Sequence, residues 1–260
     1  MGLIAIQYRL VPEAPVLVAA NREERYVRGS LAPSIQSGKP RVLCGTDEEA
    51  GGTWLGVNQN GMFVGICNRP KIMPAFISRS RGLLCKDMLR TESSRAAVDL
   101  CLEEVMSGKY NGANFVVADA EGAWAIHAGD DINVAELEEG LNIISNKDLN
   151  DTSDKRAEMA RRLLTLQMLD SPVKFLAIAS KVFARPPSPQ GRPSIVIRDE
   201  DEGTLSSTLI SLGAKPRDAI FQYSAGAPDK HSHQDFSPLL RDILSRGLRE
   251  ARTKEAGSGA

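Results

Sequence analysis

Short apolar runs separated by turn residues fill the first half of the chain. Leu3–Tyr8 and Val16–Ala20 read as two strands on either side of the Pro12–Pro15 turn. Thr53–Val57 and Met62–Cys67 flank Asn60-Gly61, a strong hairpin signal, and Phe115–Ala118 and Ala123–His127 flank Glu121-Gly122 in the same way. Leu141–Ser145 is a further strand-like run. Between these the apolar spacing becomes helical. Ser93 can cap a helix carrying Ala97, Cys101 and Val105 on one face, with Val98 and Leu102 beside them. A second helix is expected from Asp154 to Leu169. Ser171-Pro172 opens a third, with Ser as cap and Pro at the first helical position.

Arg185–Pro193 holds four prolines and must be a loop. Strand-like runs follow at Ser194–Ile197, Ser206–Ser211 and Ala219–Tyr223. Ser237-Pro238 starts a last helix with Leu240, Ile243, Leu244 and Leu248 on one face. The pattern predicts one α+β domain over residues 1–254, with helices layered on antiparallel sheets, and a flexible tail at 255–260.

Composition narrows the function. The chain has 260 residues, a formal net charge of -1 and 25% charged residues. A dedicated nucleic-acid binder would carry a basic excess, so no nucleic-acid partner is expected. The longest uncharged run, Ala50–Asn68, holds Asn58, Gln59 and Asn60 in its middle, which is unlike a membrane span. Arg9 and Glu13 break the first apolar stretch early, unlike a secretory signal, and Ile6 stands where a myristoylation motif needs Ser or Thr. The four cysteines, Cys44, Cys67, Cys85 and Cys101, form no Cys-x-x-Cys pair and read as free thiols of a cytoplasmic protein. Cys44 and Cys67 read as buried structural residues. His231-Ser-His233 offers two legs of a metal site, but the spacing marks no third ligand, and a solvated polar loop is the preferred reading; no metal is expected.

Polar residues collect where apolar strands end. Val16–Ala20 runs into Asn21-Arg22-Glu23-Glu24, Met62–Cys67 into Asn68-Arg69, and Leu141–Ser145 into Asn146. Asn is a common turn residue, yet three strand ends of one type also suit a common rim. Ser78-Arg79-Ser80-Arg81-Gly82 begins a helical region with Lys86, Arg90 and Arg95. It is either an anion site at a helix start or a solvated basic face. Gly51-Gly52-Thr53-Trp54-Leu55-Gly56 lacks the Lys and Ser/Thr of a P-loop and reads as a tight structural entry to the first hairpin.

Several of these words recur in fixed order: Ala20-Asn21-Arg22-Glu23-Glu24, Gly51-Gly52-Thr53-Trp54-Leu55-Gly56, Arg79-Ser80-Arg81-Gly82, Tyr110-Asn111-Gly112, Asn114-Phe115 with Ala118-Asp119, Ser145-Asn146 and Gly203-Thr204. Together they resemble the NRDE family, also called the transport and Golgi organisation protein 2 family. The resemblance implies an N-terminal-nucleophile (Ntn) hydrolase-like fold, a four-layer αββα sandwich of two antiparallel sheets. In such enzymes the first mature residue attacks and its own amine acts as base, and family members usually carry Cys at position 2. Here position 2 is Gly2, and Leu205 stands where the family word Gly-Thr-Arg-Ser-Ser has its arginine. With a small-molecule ligand in view, the strand-end polar residues predict that Arg22, Asn68 and Asn146 converge near Gly2 in one cleft, with Arg22 and Asn146 at the nucleophile position and Asn21, Glu24, Asn68, Arg69, Arg79 and Arg81 as ligand-binding residues. Glu24 is expected to pair with an arginine, and Trp54 to support the cleft from beneath as a core residue. Three functions follow from the resemblance: a non-catalytic binding or trafficking protein for haem or an acyl-CoA- or lipid-like ligand, which the two departures favour; an amide or thioester hydrolase; or a structural, interaction protein. Haem is implied by the family alone. His127, at a strand end, is a conceivable axial ligand, but the sequence favours a core or rim histidine bonded to backbone.

Overall fold

The computed structural model describes residues 2–75, 78–189 and 191–258. Two antiparallel sheets lie face to face. The first contains β1 (Gly2–Tyr8), β2 (Val16–Arg25), β10 (Gly140–Ile144), β11 (Glu202–Leu212), β12 (Ile220–Ser224) and β13 (Gln234–Asp235), in the order β10-β1-β2-β11-β12-β13. The second runs in sequence order through β3 (Ser30–Gln36), β4 (Val42–Asp47), β5 (Leu55–Asn58), β6 (Phe63–Asn68), β7 (Ala113–Ala118), β8 (Ala123–Ala128) and β9 (Ile132–Glu136). The β5–β6 and β7–β8 hairpins turn at the two expected sites, and Gly61 takes the positive φ of 82° that its turn requires.

Period-2 alternation assigns each strand face to one of three cores. Ile4, Ile6, Tyr8, Val16, Val18 and Ala20 pack between the sheets. Leu3, Ala5, Leu17 and Ala19 point the other way, under α3 (Lys155–Leu164) and α4 (Pro172–Phe183). Val64, Phe115, Val117 and Ile126 face α1 (Arg81–Met88) and α2 (Ser94–Met106). The result is the four-layer αββα arrangement that the resemblance implies. The last helix, α5 (Ser237–Ser258), seals one end of the central core with Leu240, Ile243 and Leu244.

The caps are local. Ser93 accepts from the Ala96 amide at 3.3 Å, Asp154 from the Arg156 amide at 2.8 Å, and Ser171 from the Lys174 amide at 3.3 Å. Three expectations change. The helix expected to run to Leu169 ends at Leu164. Ser194–Ile197 is not a ladder strand: Arg156 takes the Ser194 and Ile195 carbonyls, at 3.0 and 2.7 Å, that a neighbouring strand would otherwise use. And α5 continues to Ser258, so helix occupies residues 255–258 of the expected tail. No helix among the described residues is long and apolar enough to cross a membrane.

Candidate functional site

Where β1 and β2 leave the central core, the alternation carries polar residues onto the same faces. Gly2 pairs directly with Arg22 on β2, and Arg22 with Ser206 on β11, so the three form one row across the sheet. This row opens into a cleft of about 380 Å³. Gly2, Asn21, Arg22, Glu24, Asn68, Arg79 and Arg81 all line it, together with Arg28, Asp47, Glu49, Thr53, Trp54, Ile66 and Asn111. Residues from both sheets, the 47–53 loop and the start of α1 therefore meet at one place.

Arg22 is the buried charge of the cleft. Its guanidinium carbon stands 4.4 Å from the Trp54 ring centre, a cation–π stack that makes Trp54 both wall and support. Its Nη2 is 3.8 Å from Asp47, beyond hydrogen-bond reach, while Nη1 is buried with no hydrogen-bond partner among the described residues. Arg28 collects the nearby carboxylates instead. Its Nε and Nη2 donate to the two Asp47 oxygens, both at 2.8 Å, and it lies 3.6 Å from Glu24 and 3.7 Å from Glu49. Glu24 thus pairs with an arginine as expected. The Arg28 hydrogen bonds hold the Asp47 carboxyl below its ordinary range, whereas burial lowers Arg22 from its own.

The odd residues of the same β2 segment serve the helical layer. The Asn21 side chain donates to the Phe183 carbonyl at 3.0 Å, so it anchors α4 rather than reaching into the cleft. Glu23, whose side chain is fully buried, takes a fork from Arg156 at 3.1 and 2.7 Å and a hydroxyl from Thr204 at 3.3 Å. Arg156 lies 133 residues away, and nothing in the sequence marks it as a partner.

The remaining named residues divide. The β1–β10 register, with Ile4 opposite Ile144, leaves Asn146 just past the end of β10 on the Gly2 side, and the cleft lining does not include it. Arg69 turns away to Asp148 at 2.7 Å and Asn114 at 3.3 Å. His127 belongs to that neighbouring network. Its Nε2 accepts from the Leu149 amide at 3.2 Å, so Nδ1 carries the proton and donates to Asn114 Oδ1 at 2.9 Å. Asn114 Nδ2 in turn donates to the Ser145 and Lys147 carbonyls at 2.8 and 2.6 Å, which fixes the loop holding Asn146. Leu205 sits at a β-bulge in β11, outside the cleft lining. Among the described residues no His, Cys, Asp and Glu cluster could hold a metal.

All four cysteines are buried and free. Cys67 is the one beside Gly2: a Cβ built on Gly2 would lie 2.9 Å from its sulfur. The Cys67 thiol faces the Ile144 carbonyl at 3.9 Å, and burial pushes its pKa up to about 12. A thiol so held stays protonated at neutral pH and is a poor nucleophile. The space that a side chain at position 2 would enter is therefore occupied by an inert sulfur.

The family described as Transport and Golgi organisation 2 matches residues 1–215. A curated human relative, the Transport and Golgi organization protein 2 homolog, is 33% identical over 109 residues, which are 40% of this chain and 38% of the human one. The mouse homolog is 32% identical over 111 residues, with the same shares. The match thus spans well under half the length of these relatives. Among solved structures, the chain resembles a Caenorhabditis elegans ortholog of N-acylethanolamine-hydrolyzing acid amidase, with a TM-score of 0.53, 15% identity and coverage of 82% of this chain and 93% of that one. Penicillin V acylase from Agrobacterium tumefaciens gives a TM-score of 0.51 at 13% identity, covering 86% and 82%. At these identities the likeness is one of fold.

Proposed function

The chain belongs to the Transport and Golgi organisation 2 family, and on that premise we propose that it binds a small molecule in an Ntn-hydrolase-like cleft without performing hydrolysis. The observation that carries this reading is the pairing of Gly2 with Cys67. Acyl transfer by the N-terminal route needs a hydroxyl or thiol on the residue at position 2, and Gly2 has none. The neighbouring Cys67 sulfur fills the space and is held protonated by burial. The reading also draws support from the polar cleft around Gly2, with Arg22 stacked on Trp54 and Asn68 on the opposite sheet. Oxyanion donors without a nucleophile leave only weak catalysis.

A polar ligand suits this lining better than haem. The described lining contains no histidine, cysteine, methionine or tyrosine to serve as an axial ligand, and both ring nitrogens of His127 are engaged. A role in acyl-CoA or lipid handling draws its support from the arginines of the cleft and from family membership. A cytoplasmic setting draws support from the four unpaired thiols. The test is turnover of simple amides and thioesters. The unaltered protein is expected to give no hydrolysis above the buffer rate; turnover at rates typical of enzymes, about 1 per second or more, would restore the hydrolase reading.

A further inference from the structure

We propose that the N-terminus of α1 and the buried Arg22 guanidinium together form an oxyanion site, so that the ligand of the cleft carries a carboxylate or phosphate group. The proposal rests on the binding reading above and adds the chemical class of the ligand.

Three observations converge. First, Ser80, Arg81 and Gly82, the start of α1, line the cleft. The first amides of a helix have no intrahelical partner, and the aligned peptide dipoles leave positive charge there. Ordinary proteins quench this end with a capping side chain or an acidic first turn. Here the Ser80 side chain makes no cap and the first turn has no acidic residue. Second, Arg22 lines the same cleft, is only 8% exposed, and has Nη1 with no hydrogen-bond partner among the described residues. Its nearest carboxylate, Asp47, stands 3.8 Å away and is held by Arg28, and an oxyanion arriving in the cleft would supply the missing acceptor. Third, the carboxylates at the rim are already committed: Arg28 binds Asp47 and adjoins Glu24 and Glu49, and Arg25 also reaches Glu49 at 3.5 Å. Arg79 is matched by Asp87 and Glu104. Among the described residues, Arg81 donates to the Gly112 carbonyl at 2.7 Å. Two guanidiniums and a helix end are therefore left to one ligand.

The sequence explains why the helix end is within reach. A Cβ at Gly52 would lie 2.3 Å from the Gly82 carbonyl carbon, so only glycine lets the 47–53 loop close onto α1 and form this wall. Gly52 acts through close backbone approach and Gly51 through its positive φ of 70°, and the anion is held by a helix end and side chains rather than by a glycine-rich loop.

The test titrates inorganic phosphate and, separately, acetate into the full-length protein at low ionic strength, following backbone amide shifts by NMR. The expected result is saturable movement of the Arg81, Gly82 and Leu83 amides with at least one anion. Arg22→Gln and Arg81→Gln should each weaken binding about tenfold or more, the loss of one charge-assisted hydrogen bond. Arg95→Gln, an exposed residue of α2 paired with Asp99, should leave it unchanged. Saturation by phosphate alone points to a phosphorylated ligand, and by acetate alone to a carboxylate. Arg81→Gln guards against misfolding of the more buried Arg22 variant. Lack of saturation with either anion, or equal affinity in the Arg81→Gln protein, would overturn the site. Because the readout is equilibrium binding, it stands apart from hydrolysis: turnover without anion binding and anion binding without turnover refute different claims.

Discussion

Adding one methyl group at Gly2 probes the packing on which the non-catalytic reading depends. In Gly2→Ala the new Cβ would sit 2.9 Å from the Cys67 sulfur and 3.4 Å from the Cys67 Cα and Cβ. Cys67 is only 2% exposed and lies in the core between the sheets, so it has little room to yield. Overpacking of this kind costs about 1–3 kcal/mol, and alanine in a strand recovers about 0.5–1 kcal/mol of the glycine entropy. A net loss of about 1–2 kcal/mol is expected. In the Cys67→Ala background the sulfur is gone, and the same change should be neutral or stabilising by up to about 1 kcal/mol. Urea unfolding of the four proteins yields the coupling energy, expected at about 1–3 kcal/mol. If the two changes add within about 0.5 kcal/mol, the sulfur does not fill the position-2 space and the argument fails. The same geometry means that Gly2→Cys alone is a poor restoration, since it crowds two sulfurs together. Gly2→Cys with Cys67→Ala gives the new thiol room beside Arg22, and Leu205→Arg adds back the arginine of the family word.

Three further outcomes follow from the contacts. Arg156→Met strips the buried Glu23 carboxylate of its fork, and calorimetry should show a loss of about 3–5 kcal/mol. Gly52→Ala drives a Cβ into the backbone of α1, so it should lower stability by about 2–3 kcal/mol or more in urea unfolding and weaken anion binding in the NMR titration. Burial lowers the His127 pKa below its ordinary 6.5, so the unfolded chain takes up the proton first. The contribution is fully present above the unfolded pKa and is lost as pH falls from there toward the folded value. The midpoint of thermal unfolding should therefore drop as pH falls below about 6.5, the unfolded value, and His127→Gln should flatten that drop.

Much of the fold was legible because its signals are local. Asn60-Gly61 and Glu121-Gly122 marked the two hairpins, and Ser93, Asp154 and Ser171 marked helix starts, each within a few residues of the atoms they bond. Strands β3 and β9 escaped because they are the two edges of their sheet and mostly exposed, so their sequences lack an apolar alternation. β4 is well buried, but its short Val42-Leu43-Cys44 run gives no turn pair to announce it. Within the site, Arg22, Glu24, Asn68, Arg79 and Arg81 were named from motif words and do line one cleft. Arg69 follows Asn68 directly, yet turns to Asp148 instead. Arg28 and Asp47 are not visible as members of the site because each gains its part through the other, Arg28 from the turn between β2 and β3 and Asp47 from the end of β4, and Cys67, which reads as a buried structural thiol, meets the position-2 space only through Gly2 on the other sheet. Charge type alone could not separate the arginines whose carboxylate partners lie within hydrogen-bond distance, Arg28 and Arg79, from Arg22, whose Asp47 neighbour stands 3.8 Å off, and Arg81, which donates to a backbone carbonyl.

The central claim is that this cleft has no nucleophile where its fold would place one. Intact-protein mass spectrometry, after incubation with an activated acyl ester and an acid quench, tests it directly. The unaltered chain is expected to keep its mass, while the Gly2→Cys, Cys67→Ala protein gains one acyl group at position 2. An adduct on the unaltered chain that maps to the cleft and disappears on further incubation would contradict the claim.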